Sequence, residues 1–271
     1  EASVRTLLRL PPGRGEAVIP LDAAGRALAP VRASFDSRSG AAVEQVCREI
    51  DGTRLEAVTG NPRHGMFSLY KIINLRTEEP ELFDRIDRVA CFGDWVAHRL
   101  GGDLVMDHSL ASRTSMLDVR ERRWSPWVLD SLGIDPALLP ALAPCGTPIG
   151  TVSAEIAERT GLTPRTVVST GGHAPLHCPL GAGGAEAGQA MNSMGTTDAI
   201  VGLAPSFDRA AEIAADGLTL GVGALDGYAM QAYVMSAGSA ISWFDRTING
   251  GRWPLDELGS RAWNDGRPSG I

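Results

Sequence analysis

A chain of 271 residues that is 44% hydrophobic can bury a substantial core, and its length suits one large or two modest domains. Its formal net charge of -7, with no long basic run, argues against a phosphate-backbone partner, because nucleic-acid binding relies on clustered Lys and Arg. No apolar stretch approaches the roughly 20 residues that cross a bilayer, and Glu1 to Pro12 lacks the apolar centre of a signal peptide, so no membrane partner is expected. Cys47, Cys91, Cys145 and Cys178 are scattered, with neither the close pairs of a zinc site nor the density of a disulfide scaffold. They read as reduced thiols of a cytoplasmic protein with no metal site.

In chain order, Glu16 to Leu21 is a short apolar run leading into the polar turn from Asp22 to Arg26, which predicts a hairpin. Val43, Val46, Cys47 and Ile50 recur at helical spacing, so Ser39 to Ile50 reads as an amphipathic helix ended by Gly52. Leu69 to Leu75 predicts a second helix and Glu81 to Ile86 a third; a strand over Arg88 to Phe92 precedes a helix over Asp94 to Leu100, stopped by Gly101 and Gly102. Ser125 and Pro126 open a helix that Gly133 closes, and Ser153 caps Ala154 to Thr160 ahead of Gly161. Strands are expected at Thr166 to Thr170, Gln189 to Met194, Ala199 to Leu203 and Tyr228 to Met235, then a helix over Gly238 to Thr247 and a loop-like tail. The pattern is mixed α/β with a boundary near Pro148 to Val152. Four strands and one terminal helix would leave a sheet face uncovered.

Four stretches in order carry a resemblance. They are Gly15 to Asp22 with Phe35-Asp36-Ser37-Arg38; Asp107 to Ser112 with Arg113 and Thr114; Thr170-Gly171-Gly172-His173; and Met194-Gly195-Thr196-Thr197. Thr59-Gly60, Lys71, Trp124, Leu139-Pro140, Gly150 and Thr160-Gly161-Leu162 fall at matching spacing. In these features the chain resembles the FGGY family of carbohydrate kinases over nearly its whole length. The resemblance implies an actin-like (ribonuclease H-like) α/β fold of two domains flanking a cleft, incomplete relative to the family. Residues 1–149 would be the remainder of the N-terminal, sugar-binding domain and 150–271 the first part of the C-terminal domain. It further implies ATP and magnesium as the family's cofactors and a small hydroxylated molecule as partner.

By that resemblance Glu16, Asp36 and Arg38 lie on the sugar side, where carboxylates and guanidinium groups recognise hydroxyls. As plain chemistry, Asp36 and Arg38 also fit a helix cap with a surface cation. Met66 and Phe67 would line a wall against the sugar or simply pack in the core. His173, Ala174 and Pro175 follow the second glycine motif, where the family places its catalytic aspartate; here the letter is Ala174. A methyl group accepts no proton, and losing a positioned base commonly costs roughly 100- to 10,000-fold. The family's opening phosphate motif and its later adenosine signature are not found between Glu1 and Ile271, which leaves the turn Gly195, Thr196 and Thr197 as a phosphate contact.

The expectation is therefore a sugar- or polyol-binding homologue with phosphoryl transfer impaired or lost, a pseudokinase needing no cofactor of its own. Alternatives are a fragment or Asp-to-Ala variant of an active ATP-dependent kinase, a cleft repurposed through His173, His177 or Cys178, and a non-catalytic oligomer. His173 and His177, four apart, would share a helix face, although Pro175 and Pro179 complicate that helix. In the oligomer reading, Trp243, Phe244, Trp253 and Trp263 would be covered in a homodimer.

Overall fold

A computed structural model describes residues 16–262, apart from 185, 187, 196, 197, 225, 226 and 235. Asp22 organises the first turn: its Oδ1 accepts from the amides of Ala24 and Arg26 at 2.9 and 3.0 Å. The chain doubles back so that Leu21 bridges Ala27 and Val18 bridges Arg32, which is the expected hairpin. Strand β1 (Ile19–Leu21), buried throughout, also pairs antiparallel with β2 (Arg88–Ala90).

Asp36 caps a 3-10 turn over Ser37–Ser39 that leads into α1 (Gly40–Glu49), the expected amphipathic helix, with Ala42 and Val46 buried. Gly52 does not act as a stop. Asp51 accepts from the Arg54 amide at 3.1 Å and so caps α2 (Gly52–Thr59), which the sequence reading missed because a glycine at the first helical position looks like a terminator. The helix ends at Gly60 in the left-handed conformation, φ +66°, where an added Cβ would fall 1.8 Å from the carbonyl oxygen of Leu220.

Helix α3 (Ser68–Glu78) is buried from Ser68 to Leu75 and forms the centre of the largest core cluster, with Val46, Leu55, Val128 and Leu129 around it. The short α4 (Pro80–Phe83) stands where a longer helix to Ile86 was expected. Helix α5 (Phe92–Leu100) follows β2, and β3 (Val105–Asp107) leads into α6 (His108–Ala111), whose N-terminus Asp107 caps. A small ribbon of β4 (Leu117–Asp118) and β5 (Arg123–Trp124) precedes α7 (Pro126–Ser131), capped by Ser125. β6 (Ala141–Ala143) lies parallel to β3.

The ribbon of β7 (Pro148–Thr151) and β8 (Val167–Ser169) encloses α8 (Ala154–Thr160), which Ser153 caps and Gly161 ends as expected. Ile149, Val152, Ala157 and Val168 pack on Ala97, Leu100 and Val105, and the Asp103 amide donates to Ile149 O at 2.8 Å. Packing thus runs continuously across Pro148 to Val152.

Helix α9 (Ala174–Gly181) is followed by β9 (Ala190–Met194), β10 (Asp198–Ala204), α10 (Ala210–Ala215), β11 (Thr219–Val222) and β12 (Tyr228–Val234). Among the described residues these strands form one four-stranded sheet in the order β11-β12-β10-β9. The expected strand near Thr166 pairs with β7 instead of joining this sheet, and β11, which was not anticipated, takes an edge. Leu220 N donates to Gly60 O at 2.8 Å, which ties β11 to the end of α2.

Contacts divide the chain into two compact units: Glu1–Met191 with Val201–Ala232, and Asn192–Ile200 with Tyr233–Ile271. In the second, α11 (Gly238–Phe244) continues as a π-helical turn over Asp245–Asn249, close to the expected helix. Within the described residues the tail is not all loop. Residues 255–262 form α12 (Leu255–Ala262), with Asp256 and Glu257 in its first turn where the helix dipole favours acids. Ile241, Trp243, Phe244 and Ile248 are exposed, and Trp253 is half-buried against the Asn249 turn; Trp263 lies outside the described residues. No described helix is long and apolar enough to cross a membrane. Cys47, Cys91, Cys145 and Cys178 form no disulfide, and Cys91 is buried.

Candidate functional site

An acid placed in an apolar run must find a cation when the run is buried. Glu16, 5% exposed beside β1, finds Arg113 in the 3-10 turn after α6. Its Oε1 accepts from Arg113 Nε at 2.8 Å and lies 2.8 Å from Nη2. Arg113 is itself buried; its Nη1 donates to Thr219 Oγ1 at 2.8 Å, and its guanidinium sits 5.0 Å over the Phe67 ring. Lys71, fully buried on α3, donates from Nζ to the carbonyls of Met66 and Gly65. Burial would raise the Glu16 carboxyl, but the charges of Arg113, His173 and Lys71 and the Arg113 hydrogen bond hold it below the ordinary range. Burial brings Lys71 down to about 8, against the pull of Glu16.

The glycine motif leads into α9. Its N-cap is His173, so His173 is not on the helix and does not share a helical face with His177, contrary to the expectation from spacing. The His173 amide donates to Ser109 Oγ at 2.8 Å, and its ring is buried with Nδ1 unpartnered. Burial brings its pKa down to about 4, although Glu16 pulls the other way. His177 Nδ1 lies 3.1 Å from His173 O. A carbonyl only accepts, so Nδ1 carries a proton, and Nε2 is buried without a hydrogen-bond partner among the described residues. The His177 ring lies over Gly172, where an added Cβ would come within 2.4 Å of His177 Cε1. Ala174 occupies the first helical position and is half-buried. Pro175 is tolerated in the first turn, where its missing N–H would have had no helical partner, while Pro179 sits inside the helix. Cys178 is exposed.

Asp36 and Arg38 form a second cluster. Arg38 Nε donates to both Asp36 carboxylate oxygens at 2.9 and 3.1 Å, which brings the Asp36 pKa down to about 2. Arg32 donates to Asn74 and Glu79, and Arg38 Nη1 lies 3.8 Å from Glu79. Met66 is half-buried against the main core, and Phe67 is fully buried beneath Arg113. The structure thus brings Glu16, Phe67 and His173 into one neighbourhood, with Ala174 and Pro175 next in chain. Asp36 reaches it only through its field on Lys71. Gly195 lies in the second compact unit, while Thr196 and Thr197 lie outside the described residues. Sequence reading named Arg113, Ser109 and Lys71 only as letters of the resemblance and gave neither them nor Thr219 a role; the physical signal for Arg113 was the need of Glu16 for a buried cation.

An α/β fold with this buried acid-base neighbourhood beside a glycine-motif helix belongs to the sugar kinases of actin-like fold. The model of the FGGY family of carbohydrate kinases, N-terminal domain, matches residues 12–181, and the chain belongs to that family. Among curated relatives, L-fuculokinase of Escherichia coli K12 is 30% identical over 181 residues, covering 67% of this chain and 38% of the relative. Xylulose kinase of Lactococcus lactis is 31% identical over 209 residues, covering 76% and 41%. The chain therefore spans well under half the length of these relatives. The crystal structure of ligand-bound xylulose kinase from Lactobacillus acidophilus superposes with a TM-score of 0.78 at 22% identity, over 90% of this chain and 49% of that one, which shows the shared fold. The family consists of ATP-dependent kinases that use ATP and magnesium.

Proposed function

We propose that this chain binds a sugar or polyol on the side built around Glu16 and His173, and that phosphoryl transfer is impaired. The observation that carries the reading is Ala174, which opens α9 where the family's resemblance calls for an aspartate. Transfer to a hydroxyl needs a group that orients the hydroxyl and takes its proton. A methyl does neither. His173 is a poor substitute, since burial brings its ring down to about 4, which makes it a weak base, and its backbone, not its side chain, engages the neighbouring Ser109.

The binding side is supported by charge and rigidity. Glu16 and Arg113 are fixed by each other and by Thr219 and Phe67, and such a preorganised acceptor-donor pair loses little freedom when a hydroxylated ligand docks. Asp36 and Arg38, on the same reading, contact more distant hydroxyls from their exposed position. Among the described residues no group of three His, Cys, Asp or Glu side chains is arranged for a metal ion, and position 174 offers no base.

The test is calorimetric and enzymatic. Titration with ketoses of the kinds named for the relatives, fuculose and xylulose, and with simple polyols should show saturable binding of at least one, lost on Glu16→Gln. A coupled assay should show no ATP-dependent turnover. Robust phosphorylation by the polypeptide with Ala174 in place overturns the reading.

A further inference from the structure

Lys71 holds a position that is hostile to a positive charge. It stands in the first turn of α3, where the helix dipole disfavours a cation, and it is fully buried. Its ammonium donates to carbonyls, that of Gly65 at 3.3 Å and that of Met66. The charged and titratable groups that act on it come from other elements: Glu16 most strongly, then Cys91 and Asp36 favour the ammonium, and Arg32 opposes it. A methionine of similar length would fill the space without the cost of desolvating a charge, so packing alone does not call for a lysine here.

Both members of the Glu16–Arg113 pair lead back to this residue. The two carbonyls it holds belong to the turn from His64 to Phe67, which His64 ties from the other side: its Nδ1 accepts from the Met66 amide and its carbonyl from the Phe67 amide, each at 3.2 Å. Phe67 is the N-cap of α3 and makes no side-chain cap bond, so the turn is what fixes its place. Its ring lies 5.0 Å beneath the Arg113 guanidinium, and Arg113 holds Glu16. From the opposite side, the Lys71 charge joins those of Arg113 and His173 in favouring the ionised Glu16 carboxyl.

We infer that Lys71 is a positioning residue for the polyol side, fixing through its ammonium the turn on which Phe67, Arg113 and in turn Glu16 are seated. The inference rests on the polyol reading for its ligand. Lys71, being fully buried, touches no ligand itself. Hydrogen bonds from a charged donor are roughly twice as strong as neutral ones, so loss of one proton slackens the turn and withdraws a positive charge from Glu16 without removing any atom of the packing. Burial brings Lys71 down to about 8, and it pushes the Cys91 thiol well above its ordinary value, so the lysine changes charge first as the pH rises.

The experiment is titration calorimetry of the 271-residue chain with xylulose, fuculose and glycerol from pH 6.5 to 9.5 at constant ionic strength. Wild-type affinity should be level up to about pH 7 and at least fivefold weaker by pH 9.5, with its midpoint near 8. Lys71→Met should bind at least fivefold more weakly at pH 7 and show no further loss up to 9.5. Hydrogen exchange supplies a readout that needs no ligand: at pH 7 the amides of Met66 and Phe67 should exchange at least tenfold faster in Lys71→Met than in wild type. The same two amides in wild type, corrected for intrinsic rates, should loosen between pH 7 and 9.5, which tests the inference even where the variant does not fold. A wild-type affinity that stays level to pH 9.5, a folded Lys71→Met protein that binds as wild type does, or exchange indifferent to both the substitution and the pH overturns it. Failure of wild type to take up any of the three compounds sinks the polyol reading instead, and the exchange measurements then decide the role of Lys71 by themselves.

Discussion

Two carboxylate–guanidinium pairs, both drawing on residues expected on the sugar side, sit in opposite physical worlds. In Glu16–Arg113 the side chains are 6% and 1% exposed; in Asp36–Arg38 they are 13% and 57% exposed. The chemistry of the contacts is nearly the same, and the surroundings differ. At the surface, water and salt replace a lost partner. In the interior nothing does, so the buried pair is obligatory once either member is present. An ion pair located from sequence alone reveals neither case, because burial is a property of the assembled fold.

The sharpest way to break the comparison is Arg113→Met. It removes the cation hydrogen-bonded to Glu16, and a stability loss of about 3–5 kcal/mol is expected in urea titration. The double variant with Glu16→Leu should recover most of that loss, and equal damage in both would mean that Arg113 acts through packing alone.

Next comes acid. The His173 ring, with an ordinary value of 6.5, is brought to about 4 when folded, so between these values the unfolded chain holds the extra proton. Stability should therefore fall as the pH drops from about 6.5 to about 4, by on the order of 3 kcal/mol for this group, and be flat above. Asp94 and Asp107, both raised by burial, act with the opposite sign above 3.8, and Glu16, lowered, acts below 4.5. The difference between wild type and His173→Gln isolates the histidine; parallel profiles would remove it from the buried network.

Asp36→Ala should lose about 1 kcal/mol, chiefly the cap on the Arg38 amide at 3.1 Å. Smallest of all, Arg38→Ala should change stability by about 0–1 kcal/mol, and less in high salt. Thermal melts at two ionic strengths check it, and a large salt-insensitive loss would erase the distinction between the two pairs.

Much of the fold was legible because its signals are local. The face of α1, the Ser125-Pro126 opening of α7 and the Ser153 and Gly161 brackets of α8 each lie within one turn of the residues they control. Helix α2 was hidden because Asp51 and Gly52 spell both a cap and a stop, and only the contact of Gly60 with Leu220 decides between them. Strand β11 reads as a glycine-broken apolar scrap until β12 pairs with it. The site divides in the same way. Glu16 and the Ala174 position could be found by motif, whereas Arg113 pairs across 97 positions and Thr219 across 106, separations that no periodicity encodes. His173 was misplaced by geometry: the spacing to His177 is helical, but the helix starts one residue later.

Gly172 and His177 share one patch of space, and this gives them a joint fate in evolution. A lineage that acquires alanine at 172 must turn the imidazole aside or lose it, while a lineage that first shrinks residue 177 frees 172 to vary. A saturation library over these two sites, sorted for folded protein, should therefore be lopsided, with side chains at 172 tolerated almost solely on backgrounds where the ring is already gone.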